Sequence, residues 1–395
     1  MIPDFDRPLD RRGTDSVKWD LKPHTRDGRT VLPMWVADMD FPIPEVVQTA
    51  LRERIAHPVF GYSYLSDTHK EAFTAWQRRR NRWEVDQEWL VYAPGVMPVV
   101  RAAILAFTGP GDEVIIQPPV YYPFFNAIRE NGRVAVENPL VLAGGRYEMD
   151  LEHLETQITD RTRMLLLCSP HNPVGRVWTA KELTALGELC ERRNLTIVCD
   201  EIHGDLIRDG HSFTSFASIS PEVSNRTITC AAPTKTFNIA GLASAFAVVE
   251  DPGKRKALTD AIERLGMSLP NTLSLTAATA AYSNGEEWLG ALLAYLSATY
   301  DWFEREVTRR FPRLGLCPIE GTYLAWLDFR ETMETVGADD NAVRRALLDV
   351  GGLRLSHGFR FGTGGQDFQR MNLACPREVV GEGLNRLELA LEALG

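Results

Sequence analysis

The 395-residue chain is 44% hydrophobic and 24% charged, which excludes disordered, collagenous and coiled-coil classes and leaves room for two or three domains. Its 43 basic and 53 acidic side chains leave a net charge of −10, a balance that repels phosphate backbones and anionic lipid. The expected partner is therefore a small molecule, with no nucleic acid and no membrane.

The N-terminal residues Met1–Asp6 carry no apolar run of the kind a secretion signal needs, which points to a cytoplasmic protein. The longest uncharged stretch, 265–285, holds Pro270 and many hydroxyl and amide side chains that lipid would leave unpaired. From about residue 90, short apolar runs alternate with helical patterns. Strands are predicted at 112–117, 133–138, 163–168, 195–200, 227–232 and 244–249. They are rich in Val, Ile and Leu without polar alternation, as in parallel strands covered on both faces. A further run, Val91–Ala93, leads into Gly95-Val96-Met97 and an apolar helical stretch to Phe107. Between the third and fourth strands Thr179 and Glu182 form a T-x-x-E capping box, and Leu183, Leu186, Leu189 and Cys190 follow at helical spacing.

After about residue 286 the pattern changes. A long helix is predicted over 286–310, then a strand within 321–329, a helix near 339–350, a strand near 369–374 and a helix opening at Pro376. The fold class is α/β, with a mostly parallel sheet in a large domain at 46–285. Residues 1–45 and 286–395 form a smaller α+β domain. No Gly/Ser linker separates the two, so they pack directly, and a cleft between them is a favoured ligand site. The six cysteines show no C-x-x-C pair and read as buried free thiols in a reducing compartment.

Six features bear on chemistry. Lys235 is the only charged residue between Arg226 and Glu250. It is either a lysine on a surface turn or a desolvated amine, which is nucleophilic at neutral pH. Asp200 ends an apolar strand, where open α/β sheets bind ligands; it either caps the next turn or pairs with a protonated ring nitrogen. Gly95, Val96 and Met97 open a helix whose N–H groups suit a phosphate. Tyr121 and Tyr122, in PPVYYPF, are core aromatics or a stacking surface for a flat cofactor. Asn172, in CSPHNPVGR, is a turn residue or a donor to a phenolate oxygen. Arg370 is a surface ion-pair partner or a bidentate clamp for a carboxylate.

The order of glycine turn, aromatic loop, S-P-H-N-P loop, D-E-I-H, P-T-K-T-F-N and a late arginine resembles the fold-type I pyridoxal-phosphate enzymes. More narrowly it resembles the MalY/PatB group of cystathionine β-lyases within the class I/II aminotransferase superfamily. The resemblance covers nearly the whole chain, through LPMWVADMDFP (32–42), FGYSY (60–64), PGVMPVV (94–100), SPHNPVGRVW (169–178), CDEIHGDL (199–206), PTKTFNIAGLA (233–243), GTYLAWLDF (321–329) and RMNLACP (370–376).

The resemblance implies a seven-stranded, mostly parallel sheet and pyridoxal 5′-phosphate as cofactor. It implies that Lys235 carries the cofactor as a Schiff base and removes the substrate α-proton. Asp200 would face the pyridine nitrogen, Tyr121 would stack on the ring, and Asn172 would bond the ring oxygen. Val96 and Met97 amides after Gly95, with the Thr234 hydroxyl, would hold the phosphate. Tyr62 would reach it from a neighbouring subunit, implying a homodimer. Arg370 would bind the substrate carboxylate near Ala37, and Tyr122 would protonate the leaving thiolate. Two departures favour carbon–sulfur elimination over transamination: Ala243 stands where many relatives carry a phosphate-clamping arginine, and His203 where they carry a tyrosine against the ring oxygen. Thr234 replaces a usual serine and keeps the hydroxyl. The implied reaction is α,β-elimination of L-cystathionine or a related cysteine S-conjugate. An amino-acid aminotransferase and a regulatory cofactor-binding protein are the alternatives.

Overall fold

The computed structural model describes residues 2–22, 24, 25 and 27–395. Seven strands form the central sheet: β1 (Leu90–Ala93), β2 (Glu113–Ile116), β3 (Val134–Glu137), β4 (Thr162–Cys168), β5 (Thr196–Asp200), β6 (Thr227–Ala231) and β7 (Ala245–Val248). Their order is β1-β7-β6-β5-β4-β2-β3. Neighbours from β6 to β3 pair in parallel, whereas β7 is antiparallel to both β6 and β1.

The apolar runs are continuous because the strands inside the sheet serve two cores at once, whereas the edge strand β3 is only partly buried. Val114, Ile116, Met164 and Leu166 enter one, beneath the helices Val96–Phe107 and Pro252–Arg264. Ile115, Leu165 and Leu167 point the other way, into a core capped by Ala180–Arg192. Successive strand side chains face opposite sides, so a doubly covered strand has no polar face to offer. At roughly 1.5–3 kcal/mol for each fully buried aliphatic side chain, these two cores are the main stabilising term of the sheet.

Each of the six predicted strands is present, within about a residue at either end. Two features differ from the sequence reading. β1 was legible only as the run before the glycine turn. β7 reads like its parallel neighbours but runs against them, because the connection 232–244 holds only two short turns, Pro233–Thr236 and Ala240–Leu242. A parallel return needs an element, usually a helix, that carries the chain back across the sheet face, and neither turn is long enough to do so.

The capping box at Thr179 is formed: its Oγ1 accepts from the Glu182 N–H at 3.2 Å and the Glu182 Oε2 accepts from the Thr179 N–H at 2.7 Å. Glu182 also accepts from buried Arg176 at 2.8 Å, and Arg176 Nε donates to Glu320 at 2.9 Å. This network ties the loop after β4 to the helix behind it.

In the C-terminal part, Gly315–Leu316, Leu324–Asp328, Phe368–Asn372 and Ser356–His357 form a four-stranded antiparallel sheet. The helices Glu286–Arg310 and Arg377–Glu392 contribute their buried faces to the same apolar core as its central strands. The N-terminal strand Leu32–Pro33 pairs in parallel with Leu353–Arg354. The predicted helix near 339–350 is an α-helix, Asp340–Arg345, continued by a π-helical turn, Ala346–Val350. Pro376 precedes the last helix as its N-cap rather than as its first residue. All six cysteines are buried and unpaired. No helix of the described residues is long and apolar enough to cross a membrane.

Candidate active site

A cavity of about 390 Å³ lies beyond the carboxyl ends of β1, β2, β4, β5 and β6. It gathers Ala37, Gly95, Val96, Met97, Tyr121, Tyr122, Asn172, Asp200, His203, Thr234, Lys235 and Arg370, which is every predicted site residue but Tyr62. The geometry follows from the sheet: strands aligned in one direction deliver the loops that follow them to one edge.

Lys235 stands on the turn after β6 and its Nζ donates to the Ala37 carbonyl. Burial pulls the amine down to about 8, assisted by Arg370 and opposed by Asp38 and Asp200. The lysine is therefore largely, not wholly, protonated at neutral pH, close to the condition of a usable nucleophile and base. Asp200 ends the neighbouring strand and is 5% exposed. Its Oδ1 accepts from the Ile202 N–H at 3.1 Å, so it does cap the next turn. Among the described residues no cation bonds it, and burial pushes its carboxyl up to about 6, with Lys235 opposing.

Arg370 enters from the strand Phe368–Asn372 and is 4% exposed. Its Nη1 donates to Asn172 Oδ1 at 2.8 Å, and its Nη2 to the Trp35 carbonyl at 2.8 Å and Ser356 Oγ at 3.2 Å. Its Nε has no partner. Among the described residues no carboxylate reaches it, and burial holds the guanidinium down at about 10. A buried cation without its counterion costs several kcal/mol, so this arrangement favours an anionic ligand.

The cavity wall beside Arg370 is aromatic. The Tyr121 and Tyr122 rings lie 5.6 Å apart, and burial pushes the Tyr121 hydroxyl up to about 12. His203 also lines the cavity and is 2% exposed, with its Nδ1 unpartnered among the described residues. Burial, then Lys235 and Arg370, bring its pKa down to about 3, so it is neutral. Gly95 precedes the twelve-residue helix Val96–Phe107 without any side-chain cap, leaving that helix N-terminus open at the cavity. Thr234 lines the same end, as does Ala243, whose small side chain supplies no charge there.

Tyr62 lies outside this cavity and is 95% exposed. Several residues of the site escaped sequence reasoning. Tyr323, fully buried, donates from its hydroxyl to the Ala37 carbonyl at 2.8 Å, beside the lysine amine. Trp35 and Ser356 hold Arg370. The motif GTYLAWLDF contains Tyr323, yet nothing local marks a tyrosine in an apolar strand as a ligand of a distant carbonyl.

These residues fit pyridoxal 5′-phosphate. Among the described residues, an amine with only a carbonyl partner, a buried carboxylate lacking a cation, an orphaned imidazole nitrogen and an uncapped helix N-terminus surround one void. That combination, on a sheet of this order, defines the fold-type I class of pyridoxal-phosphate enzymes. The chain belongs to the aminotransferase class I and II family, whose model matches residues 31–387. It is 40% identical over 388 residues to the cystathionine beta-lyase PatB of Bacillus subtilis, covering 98% of this chain and 99% of that one. It is 32% identical to protein MalY of Escherichia coli, covering 99% of each. Cystalysin from Treponema denticola, whose crystal structure contains pyridoxal 5′-phosphate, superposes with a TM-score of 0.94 at 35% identity over 100% of both chains.

Proposed function

We propose that the chain is a pyridoxal-phosphate-dependent carbon–sulfur lyase that splits L-cystathionine, or a related cysteine S-conjugate, into a thiol, pyruvate and ammonia. The observation that carries this reading is Arg370: a buried guanidinium with no anion, in one cavity with an amine brought down to about 8. Homologues named as cystathionine beta-lyases across almost their whole length support it.

Lys235 would bind the cofactor aldehyde, Asp200 its ring nitrogen, Tyr121 its ring face, and Asn172 and His203 its ring-oxygen side. The Val96 and Met97 amides after Gly95, with Thr234, would hold the phosphate. When bound, the cofactor supplies an electron sink at the substrate α-carbon. Arg370 grips the substrate α-carboxylate and fixes the angle at which the α-hydrogen meets Lys235 Nζ. That amine, set free when the substrate's own amine replaces it on the cofactor aldehyde, takes the proton, and the Tyr122 hydroxyl returns one to the sulfur as the carbon–sulfur bond breaks. The released 2-aminoacrylate takes up water to give pyruvate and ammonia.

Two further proposals accompany this one. Residues 46–285 act as the cofactor-binding domain and residues 1–45 with 286–395 as the smaller domain. The protein works as a homodimer in which exposed Tyr62 completes the partner's phosphate site.

The test is incubation of pure holoenzyme with L-cystathionine and no keto acid. Sustained release of pyruvate and homocysteine supports the lyase. Conversion that stops after one equivalent per site identifies an aminotransferase instead, and no turnover with cofactor bound leaves a regulatory role.

A further inference from the structure

A second cavity, of about 340 Å³, adjoins the first and shares Trp35 and Ser356 with it. Lys22, Arg354, His357 and Arg360 line it, and among its described lining residues there is no carboxylate. In a chain of net charge −10, a cavity walled only by cationic and neutral groups is a local reversal of sign.

The partition between the two cavities is polar and ordered. Ser356 Oγ donates to the Trp35 carbonyl at 2.8 Å and accepts from Arg370 at 3.2 Å. Arg360 stands at the junction: its guanidinium lies 4.2 Å from the ring centroid of Tyr122, which belongs to the first cavity, while Arg360 itself lines the second. No described side-chain acceptor bonds Arg360. Arg354 donates to the Leu21 carbonyl at 2.9 Å and, among the described residues, meets no carboxylate; burial lowers its pKa. His357 is bonded through Nδ1 to Gln369 Oε1 at 3.0 Å; burial lowers its pKa, Gln369 opposes, and Arg344, Arg360 and Arg354 add to the lowering.

We propose that this second cavity is a distal-anion subsite, in which Arg360 and Arg354 receive a carboxylate at the far end of the substrate's leaving group. The inference rests on the lyase reading and names its substrate class: cysteine S-conjugates whose thiol portion ends in an acid. Arg370 holds the α-carboxylate and Arg360 the distal one, so the thioether between them passes Tyr122, the group assigned to protonate the sulfur. Guanidinium groups suit this task because they stay charged and offer paired donors in the geometry of a carboxylate.

The experiment compares S-(3-carboxypropyl)-L-cysteine with S-butyl-L-cysteine, conjugates of equal chain length that differ in the terminal charge. The holoenzyme is expected to favour the acid about tenfold in kcat/KM. Arg360→Gln should bring the ratio near parity, and Arg360→Lys should retain part of it. Because the ratio compares two substrates on one enzyme, any effect of Arg360 exerted through Tyr122 cancels. Should Arg360→Gln fail to fold, the wild-type ratio decides alone: it should fall as salt rises from about 0.02 to about 0.3 M. A wild-type ratio of one or less, or a ratio unmoved by Arg360→Gln and by salt, overturns the subsite while leaving the lyase standing. Absence of pyruvate from both conjugates removes the lyase reading and the subsite with it.

Discussion

Replacing Arg370 by lysine isolates what the guanidinium contributes. The substitution keeps one positive charge but loses the fork whose two Nη atoms reach Asn172, Ser356 and the Trp35 carbonyl. In the free cavity this cation is strained: its pKa stands at about 10 against 12.5, a displacement equivalent to about 3 kcal/mol. A substrate carboxylate relieves that strain, and because lysine keeps the charge and gives up only the paired donors, this figure is the upper bound on the cost. The result is a fall of up to roughly 150-fold in kcat/KM for L-cystathionine. Steady-state pyruvate release measures it, and cofactor absorbance checks that the cavity is still loaded. A control comes from a cysteamine thioether, which lacks the α-carboxylate and so yields thiol, acetaldehyde and ammonia; thiol release is followed for both compounds. Wild type should process it poorly, and Arg370→Lys should make that little worse, because the two changes remove the same interaction. A loss below fivefold on cystathionine, or equal losses on both compounds, would refute the assignment of Arg370 as the carboxylate clamp.

Lys235→Ala should lower pyruvate release by about 10³-fold or more and abolish any borohydride-trapped adduct; normal turnover without added amine would count decisively against the lysine. Glu201, 5% exposed and accepting from the Phe216 N–H at 2.7 Å, tests the electrostatics beneath the site. Burial raises its carboxyl to about 7 from 4.5, so its protonated form is favoured on folding and stability is lost as pH rises through about 7. Glu201→Gln should match wild type in thermal midpoint near pH 4, then exceed it by the equivalent of up to about 3 kcal/mol at pH 8. A difference that does not grow with pH would contradict this. Mixing Lys235→Ala with Tyr62→Ala subunits should restore activity to about a quarter of wild type, because half the dimers then hold one intact site. No gain on mixing would place Tyr62 outside the neighbouring site.

Much of this architecture was legible in the chain because it depends on local composition. The doubly buried strands are apolar runs, and the helix after Thr179 announces itself by its cap. The direction of β7 was not legible, since antiparallel and parallel core strands bury the same residues; only the lack of a helix long enough to cross the sheet in the connection distinguishes them. The site behaves similarly. Lys235 was conspicuous as a lone charge in apolar sequence, and Asp200 as a carboxylate ending a buried strand. What made Arg370 informative was a missing partner, and a missing countercharge has no sequence signature. It emerges only when Trp35, 335 residues away along the chain, and Asn172, 198 residues away, are found to offer neutral oxygens and no carboxylate. The same holds for Ala37, whose carbonyl meets both Lys235 and Tyr323: a main-chain acceptor is common to every residue type, so its role is set by where the backbone is held. Asn372 Nδ2 fixes that segment by donating to the Val36 and Asp38 carbonyls at 2.6 Å each. The segment that receives the lysine amine is thus pinned by the strand that carries Arg370, which couples the position of the α-carboxylate clamp to that of the base.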